Sequence, residues 1–308
     1  MGLANKDVDI DWPVKRRDLH NWAMDSTRWD DFKFRDDDIV IATWAKSGTT
    51  WLQQIVGQLV FKGAEGVPVF DIAPWLDFRV RPKEDVYAML EAQAHRRFIK
   101  THLPVDALVF SPQAKYIYIA RDGRDAVWSW YNHHSMGTQA GYDLVNSVPG
   151  RVGPPLGLPP ENVVDYFHAW LDGDGFPYWP FWSNIQSWWD VRHLPNVLLL
   201  HFNDLKSDLP AEMRRVARFL DIDIDDTLWP TLVEHCQFDY MKNHASKLSP
   251  ILDEVFQGGA KTFIHKGTNG RWRDMLTPSD IQKYETHALN NLSLDCAHWL
   301  ATGEGGVK

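Results

Sequence analysis

Three short segments carry residue types suited to holding an anion. The first is Lys46-Ser47-Gly48-Thr49-Thr50-Trp51. It follows the apolar run Ile39-Val40-Ile41-Ala42-Thr43, and after it Trp51, Leu52, Ile55, Val56, Leu59 and Val60 recur at three- and four-residue steps. That order predicts a buried strand, a tight loop and a helix. Free N–H groups and the dipole at a helix N-terminus favour a phosphate there. Gly48 permits close backbone approach, while Lys46 and the two threonines add charge and donors. A plain Ser/Thr helix cap with an incidental Lys would look similar. A nucleotide-triphosphate P-loop needs Gly, four residues, then Gly-Lys-Ser/Thr; here Lys46 precedes the only Gly, which makes a kinase reading weak.

The second segment runs from Tyr116 to Tyr131. A strand ends at Arg121, an Asp122-Gly123 turn follows, and a helix carries Ser129. An Arg at the C-terminal edge of a strand in an α/β sheet faces the usual ligand crevice, and its fork holds phosphate through paired hydrogen bonds. A salt bridge to Asp122 or Asp125 is the plainer use of Arg121, and a surface hydroxyl that of Ser129. The third is His265-Lys266-Gly267-Thr268-Asn269-Gly270, a basic glycine-bearing loop suited to closing over a phosphate, or simply to lying in solvent.

These segments need a sheet to position them. Further strands are expected at 97–101, 116–120 and 197–202. Helices are expected near 85–95, 124–134, 162–171, 180–192, 210–220, 227–236 and 278–290. Strands alternating with helices predict an α/β fold, with a central parallel sheet flanked by helices on both faces. Residues 1–37 read as an N-terminal arm and 38–308 as a single domain. Gly137 to Pro160 and Lys242 to Arg273 read as long loops.

Composition sets outer bounds. The 308 residues are 44% hydrophobic and 24% charged, with a formal charge of −9, which argues against nucleic acid or an anionic membrane as partner. Two cysteines, Cys236 and Cys296, without Cys-x-x-Cys spacing, give no disulfide framework and fit a cytoplasmic setting. The opening Met1 to Lys6 has no apolar signal core, and no apolar run approaches a membrane span. Sixteen tryptophans are many for this length; core packing accounts for most. No metal-ligand spacing accompanies His133 and His134, so no metal is expected.

Taken together, the three segments resemble the cytosolic sulfotransferases that use 3′-phosphoadenosine 5′-phosphosulfate (PAPS). Lys46 to Trp51 resembles that family's 5′-phosphosulfate loop, Tyr116 to Ser129 its 3′-phosphate segment, and Lys266-Gly267 with Gly270 its closing Arg-Lys-Gly-x-x-Gly loop. Lys100-Thr101-His102-Leu103-Pro104 resembles the stretch holding its catalytic His. The likeness runs over about residues 38–290. It implies that Lys46, Ser47, Gly48, Thr49 and Thr50 hold the 5′ phosphosulfate and that Trp51 stacks on adenine beside Phe202, Phe238 and Met241. Arg121, Ser129, His265, Lys266 and Gly267 would take the 3′-phosphate.

The implied reaction moves a sulfuryl group to a small-molecule phenol or alcohol, less readily an amine, and leaves adenosine 3′,5′-bisphosphate (PAP). His102 would be the general base, Lys46 and Lys100 the charge stabilisers, and Ser129 a restraint on Lys46. His133 and His134 are rival bases. Phe70, Trp75, Phe78, Tyr131, His133, Tyr166, Phe167 and Tyr178, with Trp44 and Trp182, are candidates for an aromatic acceptor pocket, although core packing would use the same residues. The chain departs from the family pattern at His265 (Arg), Phe202 (Tyr), Cys236 (Thr) and Arg271 (Asp). The family's homodimer motif is poorly matched between Arg273 and Gln282, with Pro278 in place of Val. A PAP-binding regulatory protein without turnover is the alternative from another class.

Overall fold

A computed structural model describes residues 10–247 and 251–306. Four strands, β1 (Ile39–Thr43), β2 (Phe98–Thr101), β3 (Lys115–Ala120) and β4 (Val197–His201), form one sheet in the order β2-β1-β3-β4. Every pairing is parallel, with Ile41 opposite Lys100 and Ile117, and Ile119 opposite Leu200. Alternate residues serve opposite faces. Val40, Ala42, Tyr116 and Tyr118 enter one core with Trp170, Trp188 and Trp299. Ile39, Ile41, Ile117 and Ile119 enter another with Leu52, Val56, Met213 and Leu232. Both faces are therefore covered, as near-continuous apolar strands require.

The loop after β1 leads into helix α1 (Thr49–Val60). β3 leads into the helix Gly123–Ser135, whose N-cap Asp122 accepts from the Arg124 N–H. The crevice lies where β1 and β3, adjacent in the sheet, deliver these two helices from their C-terminal ends.

Several boundaries shift from the sequence expectations. β4 stops at His201 because the His201 ring caps a short helix, Phe202–Ser207, by accepting from the Asn203 N–H. Arg97 precedes β2; its buried guanidinium binds Asp38 at 2.5 Å instead. The stretch expected as loop from Gly137 contains the helix Gln139–Asn146, capped by Thr138 accepting from the Gly141 N–H. Short helices, Ile251–Val255 and Ala260–Phe263, also interrupt the later loop. Of the expected N-terminal arm, residues 1–9 lie outside the described residues; Leu19, Trp22, Trp29 and Phe32 sit in the core. Among the described residues no helix is long and apolar enough to cross a membrane.

Candidate active site

A cavity of about 890 Å³ opens at the sheet's C-terminal edge. Its wall includes Lys46, Gly48, Thr49, Thr50 and Trp51 from the first loop, Arg121 and Ser129 from the second, and His265, Lys266 and Gly267 from the third. Lys100 and His102 come from the end of β2. One cavity thus collects residues more than two hundred positions apart.

Backbone geometry shapes the first loop. Lys46 has φ 65° and Gly48 φ 117°, both in the left-handed region. A Cβ on Gly48 would stand 2.9 Å from Ile119 Cδ1 and 3.1 Å from Phe202 Cδ2, so the position needs glycine for both φ and space. No side chain caps α1. Ser47 Oγ is buried and has no hydrogen-bond partner among the described residues. Uncapped helix donors, an orphan hydroxyl and a lysine form a donor set that fits a phosphate-bearing ligand.

Arg121 lies close by, its Nη1 donating to the Lys46 carbonyl at 3.3 Å. Lys46 and Arg121 therefore face the same space. Its guanidinium also covers the Phe202 ring, 4.3 Å from the centroid. Trp51 is edge-on to Phe202 with its Nε1 donating to the Cys236 carbonyl, and Phe238 and Met241 line the same region.

His102 lines the same cavity beside Lys100. Its Nδ1 is 2.7 Å from the Thr43 carbonyl, an acceptor only, so the proton resides on Nδ1 and Nε2 keeps its lone pair. Thr43 Oγ1, 3.0 Å away, is itself tied to Thr49 Oγ1 at 2.7 Å. Asn184 Nδ2 donates to the His102 carbonyl at 2.8 Å, fixing the backbone. Trp75 stands edge-on to the imidazole and stacks on Phe78, and Lys100 Nζ lies 4.5 Å from the Trp75 ring centre.

Burial and like charge bias the protonation states. Burial, with the charges of Lys100 and Arg121, pulls the Lys46 ammonium down to about 7. Burial takes Lys100 down to about 8, although Asp77 opposes it. Burial and the two lysines hold His102 well below the usual imidazole range, against the Thr43 hydrogen bond that favours its charged form. The partner of Lys46 Nζ is His133 Nδ1, 3.4 Å away, rather than Ser129; Phe263 lies beneath the same ammonium at 4.5 Å. His133 is one helical turn beyond Ser129 on the same helix, and both line the cavity. His134 also lines the cavity, but its ring is held between the Tyr166 hydroxyl and the Gly157 carbonyl.

Of the aromatic acceptor candidates, Phe70, Trp75, Phe78, His133 and Tyr178 line the cavity. Tyr131, Tyr166 and Phe167 are not among the lining residues. The Tyr131 hydroxyl donates to the Glu161 carbonyl, Tyr166 meets His134, and Phe167 packs in the core on Trp128 and Trp170. Trp44 and Trp182 are core residues as well. Sequence reading missed Thr43 and Asn184, which hold His102, and Asn269, which binds Arg121. Thr43 had one usable signal, a polar residue ending an apolar strand; the asparagines had none.

The chain is thus an α/β protein with a strand–loop–helix of the phosphate-binding type, and one cavity that gathers Lys46, Lys100 and Arg121. The model of the sulfotransferase domain family matches residues 36–294. A glycolipid sulfotransferase of Mycobacterium bovis (strain BCG / Pasteur 1173P2) is 34% identical over 97% of this chain and 98% of its own length. Sulfotransferase 1E1 of Homo sapiens is 30% identical over 91% and 94%. Among solved structures, retinol dehydratase in a complex with retinol and PAP shares the fold with a TM-score of 0.68 at 23% identity, covering 87% of this chain and 84% of that one. The chain belongs to the sulfotransferase family, and it is an enzyme of that class.

Proposed function

We propose that this enzyme transfers the sulfuryl group of PAPS to a hydroxyl of a small-molecule acceptor by in-line displacement, with His102 as general base. The observation that carries the reading is the His102 tautomer: Nδ1–H is spent on Thr43, which leaves Nε2 basic on a cavity wall shared with Lys46, Lys100 and Arg121. PAPS supplies a sulfuryl group on a good leaving group, so positioning and charge stabilisation suffice without a metal. The Lys46 loop and the α1 N-terminus would hold the 5′ side, and Arg121 with Ser129 and the Lys266-Gly267 backbone the 3′-phosphate. Trp51, Phe202, Phe238 and Met241 would enclose the base.

Charge then organises proton movement. An anion between Lys46 and Lys100 offsets the two cations that depress His102, so the imidazole becomes a stronger base when the donor is in place. His102 Nε2 accepts the acceptor's proton, while Lys46 neutralises charge on the leaving oxygen.

The acceptor side is walled by Trp75, Phe78, Tyr178, Phe256 and Phe263, which suits an apolar body bearing a hydroxyl. Leu144 and Ile251, 39% and 46% exposed, also line this cavity, which favours extending the panel from phenols and simple alcohols to glycolipids, the class in the Mycobacterium relative's name. The test is sulfate transfer from radiolabelled PAPS across that panel, with calorimetry of PAP against ATP and magnesium. PAP binding without transfer to any acceptor would favour the regulatory alternative, and preference for ATP would sink the reading.

A pH dependence follows from the two lysines. Both have pKa values lowered from 10.5, to about 7 and about 8, and an anionic ligand favours their charged forms. PAP affinity should therefore be greatest below pH 7 and fall as pH rises through 7 to 8. Binding at pH 8 should take up protons. Calorimetry in buffers of different ionisation enthalpy measures that uptake directly; none at pH 8 would refute the assignment of these lysines to the anion.

A further inference from the structure

Each nitrogen of the Arg121 guanidinium already has a partner within the chain. Nε donates to Asn269 Oδ1 at 2.9 Å and Nη2 to the same oxygen at 2.7 Å. Nη2 also donates to the Thr268 carbonyl at 2.9 Å, and Nη1 to Lys46. A phosphate meets this same Nε/Nη2 edge of an arginine fork through two parallel hydrogen bonds, so Asn269 Oδ1 occupies the place its oxygens would take. Asn269 is held in that pose: its Nδ2 donates to Asn203 Oδ1 at 2.6 Å, and the next residue's N–H, that of Gly270, donates to Asp125 Oδ1 at 2.7 Å. Lys206 Nζ ties down the loop's other end through the Gly267 carbonyl at 2.9 Å. Arg121 itself is only 5% exposed, so water is a poor substitute for these acceptors.

We propose that the Asn269 carboxamide is an internal stand-in for the 3′-phosphate, competing with it for Arg121 and thereby easing release of the bisphosphate product. The proposal rests on the PAPS reading of this cavity. A dianionic phosphate makes charge-assisted hydrogen bonds roughly twice as strong as those of a neutral carboxamide, so it displaces Asn269. As phosphate leaves, Oδ1 satisfies the fork again, and Arg121 is spared the cost of burial without acceptors. A neutral ribose hydroxyl lacks the charge to displace Asn269. Nucleotides without a 3′-phosphate are thus indifferent to this residue.

The experiment compares the unchanged protein, Asn269→Ala and Asn269→Asp for binding of PAP and of adenosine 5′-phosphate, with PAP dissociation followed by tryptophan fluorescence. Asn269→Ala should tighten PAP about tenfold and slow its dissociation, because an acceptor that opposed the phosphate is gone. Asn269→Asp, the same shape with a charge, should weaken PAP about tenfold or more. Adenosine 5′-phosphate should bind all three alike. A structural role alone would loosen both nucleotides in Asn269→Ala and give no tightening. Looser PAP binding in the alanine variant, or parallel shifts for both nucleotides, would overturn the proposal alone. Failure of the unchanged protein to bind PAP would overturn it together with the nucleotide reading.

Discussion

Replacing His102 with alanine is expected to lower kcat by about 10²–10⁴-fold, the usual worth of a positioned general base, while PAP binding survives. The side chain is held by a defined set of contacts. Its Nδ1–H is aimed at the Thr43 carbonyl, and Thr43 is locked in turn by Thr49 at the head of α1. His102 is therefore coupled to the very loop expected to hold the donor. Asn184 grips the His102 backbone, not the ring, so the alanine variant keeps the local chain path.

The pH profile separates a base from a structural histidine. Burial and the two lysine charges hold His102 well below its ordinary value, so at pH 7 the ring is neutral and competent. Rate falls as pH drops through its pKa. The kcat/KM profile reports the free enzyme, and its acid limb should lie below the ordinary imidazole range. The kcat profile reports the loaded enzyme, where bound anion offsets the lysines, so its acid limb should appear at higher pH. Both limbs should vanish in His102→Ala. Near-normal turnover in that variant, or a loss of PAP affinity as large as the loss of rate, would refute the role.

The parts of this site legible in the sequence are those whose chemistry forces a local pattern. A glycine and a lysine between an apolar strand and a 3.6-period helix suit an anion loop, although a plain helix cap shares the pattern and the other two segments were needed to favour the anion. Arg121 was legible for the same reason, standing where a parallel strand ends. His102 was not: nothing about a histidine after an apolar strand separates a base from a packed side chain, and only resemblance to a family singled it out. Aromatic residues divide the same way. Trp75 and Tyr178 reach the cavity while Phe167 and Trp44 fill the core, and both kinds occupy equally apolar stretches. The helix Gln139–Asn146 was hidden by surrounding glycines and prolines, although Thr138 before it is an ordinary N-cap. Partnerships such as Thr43 with His102 or Asn269 with Arg121 join residues 59 and 148 positions apart, and only the folded chain reveals them.

Replacing Lys46 with methionine should reduce kcat by about 10²–10³-fold, the typical loss when one preorganised donor to a developing negative charge is removed. Methionine preserves the length and the packing over Phe263, so the effect isolates charge. Removing that charge also relieves two neighbours: Lys46 lowers the pKa of His102 and His133. The variant's His102 should accordingly titrate at higher pH than in the unchanged enzyme, which moves the acid limb of kcat/KM upward. Proton uptake on binding PAP should fall, since the group with pKa near 7 is gone and only Lys100, near 8, remains.

Lys46→Arg splits charge from placement. A guanidinium stays charged at every pH of interest, so PAP affinity should lose most of its decline between pH 7 and 8. Yet the side chain springs from a left-handed backbone position, φ 65°, into a space bounded by His133 and Phe263. The larger planar head cannot occupy the ammonium's point, so binding should recover more than turnover does. Full turnover in Lys46→Met would show that the leaving oxygen needs no cation from this loop; full turnover in Lys46→Arg would show that charge matters and position does not.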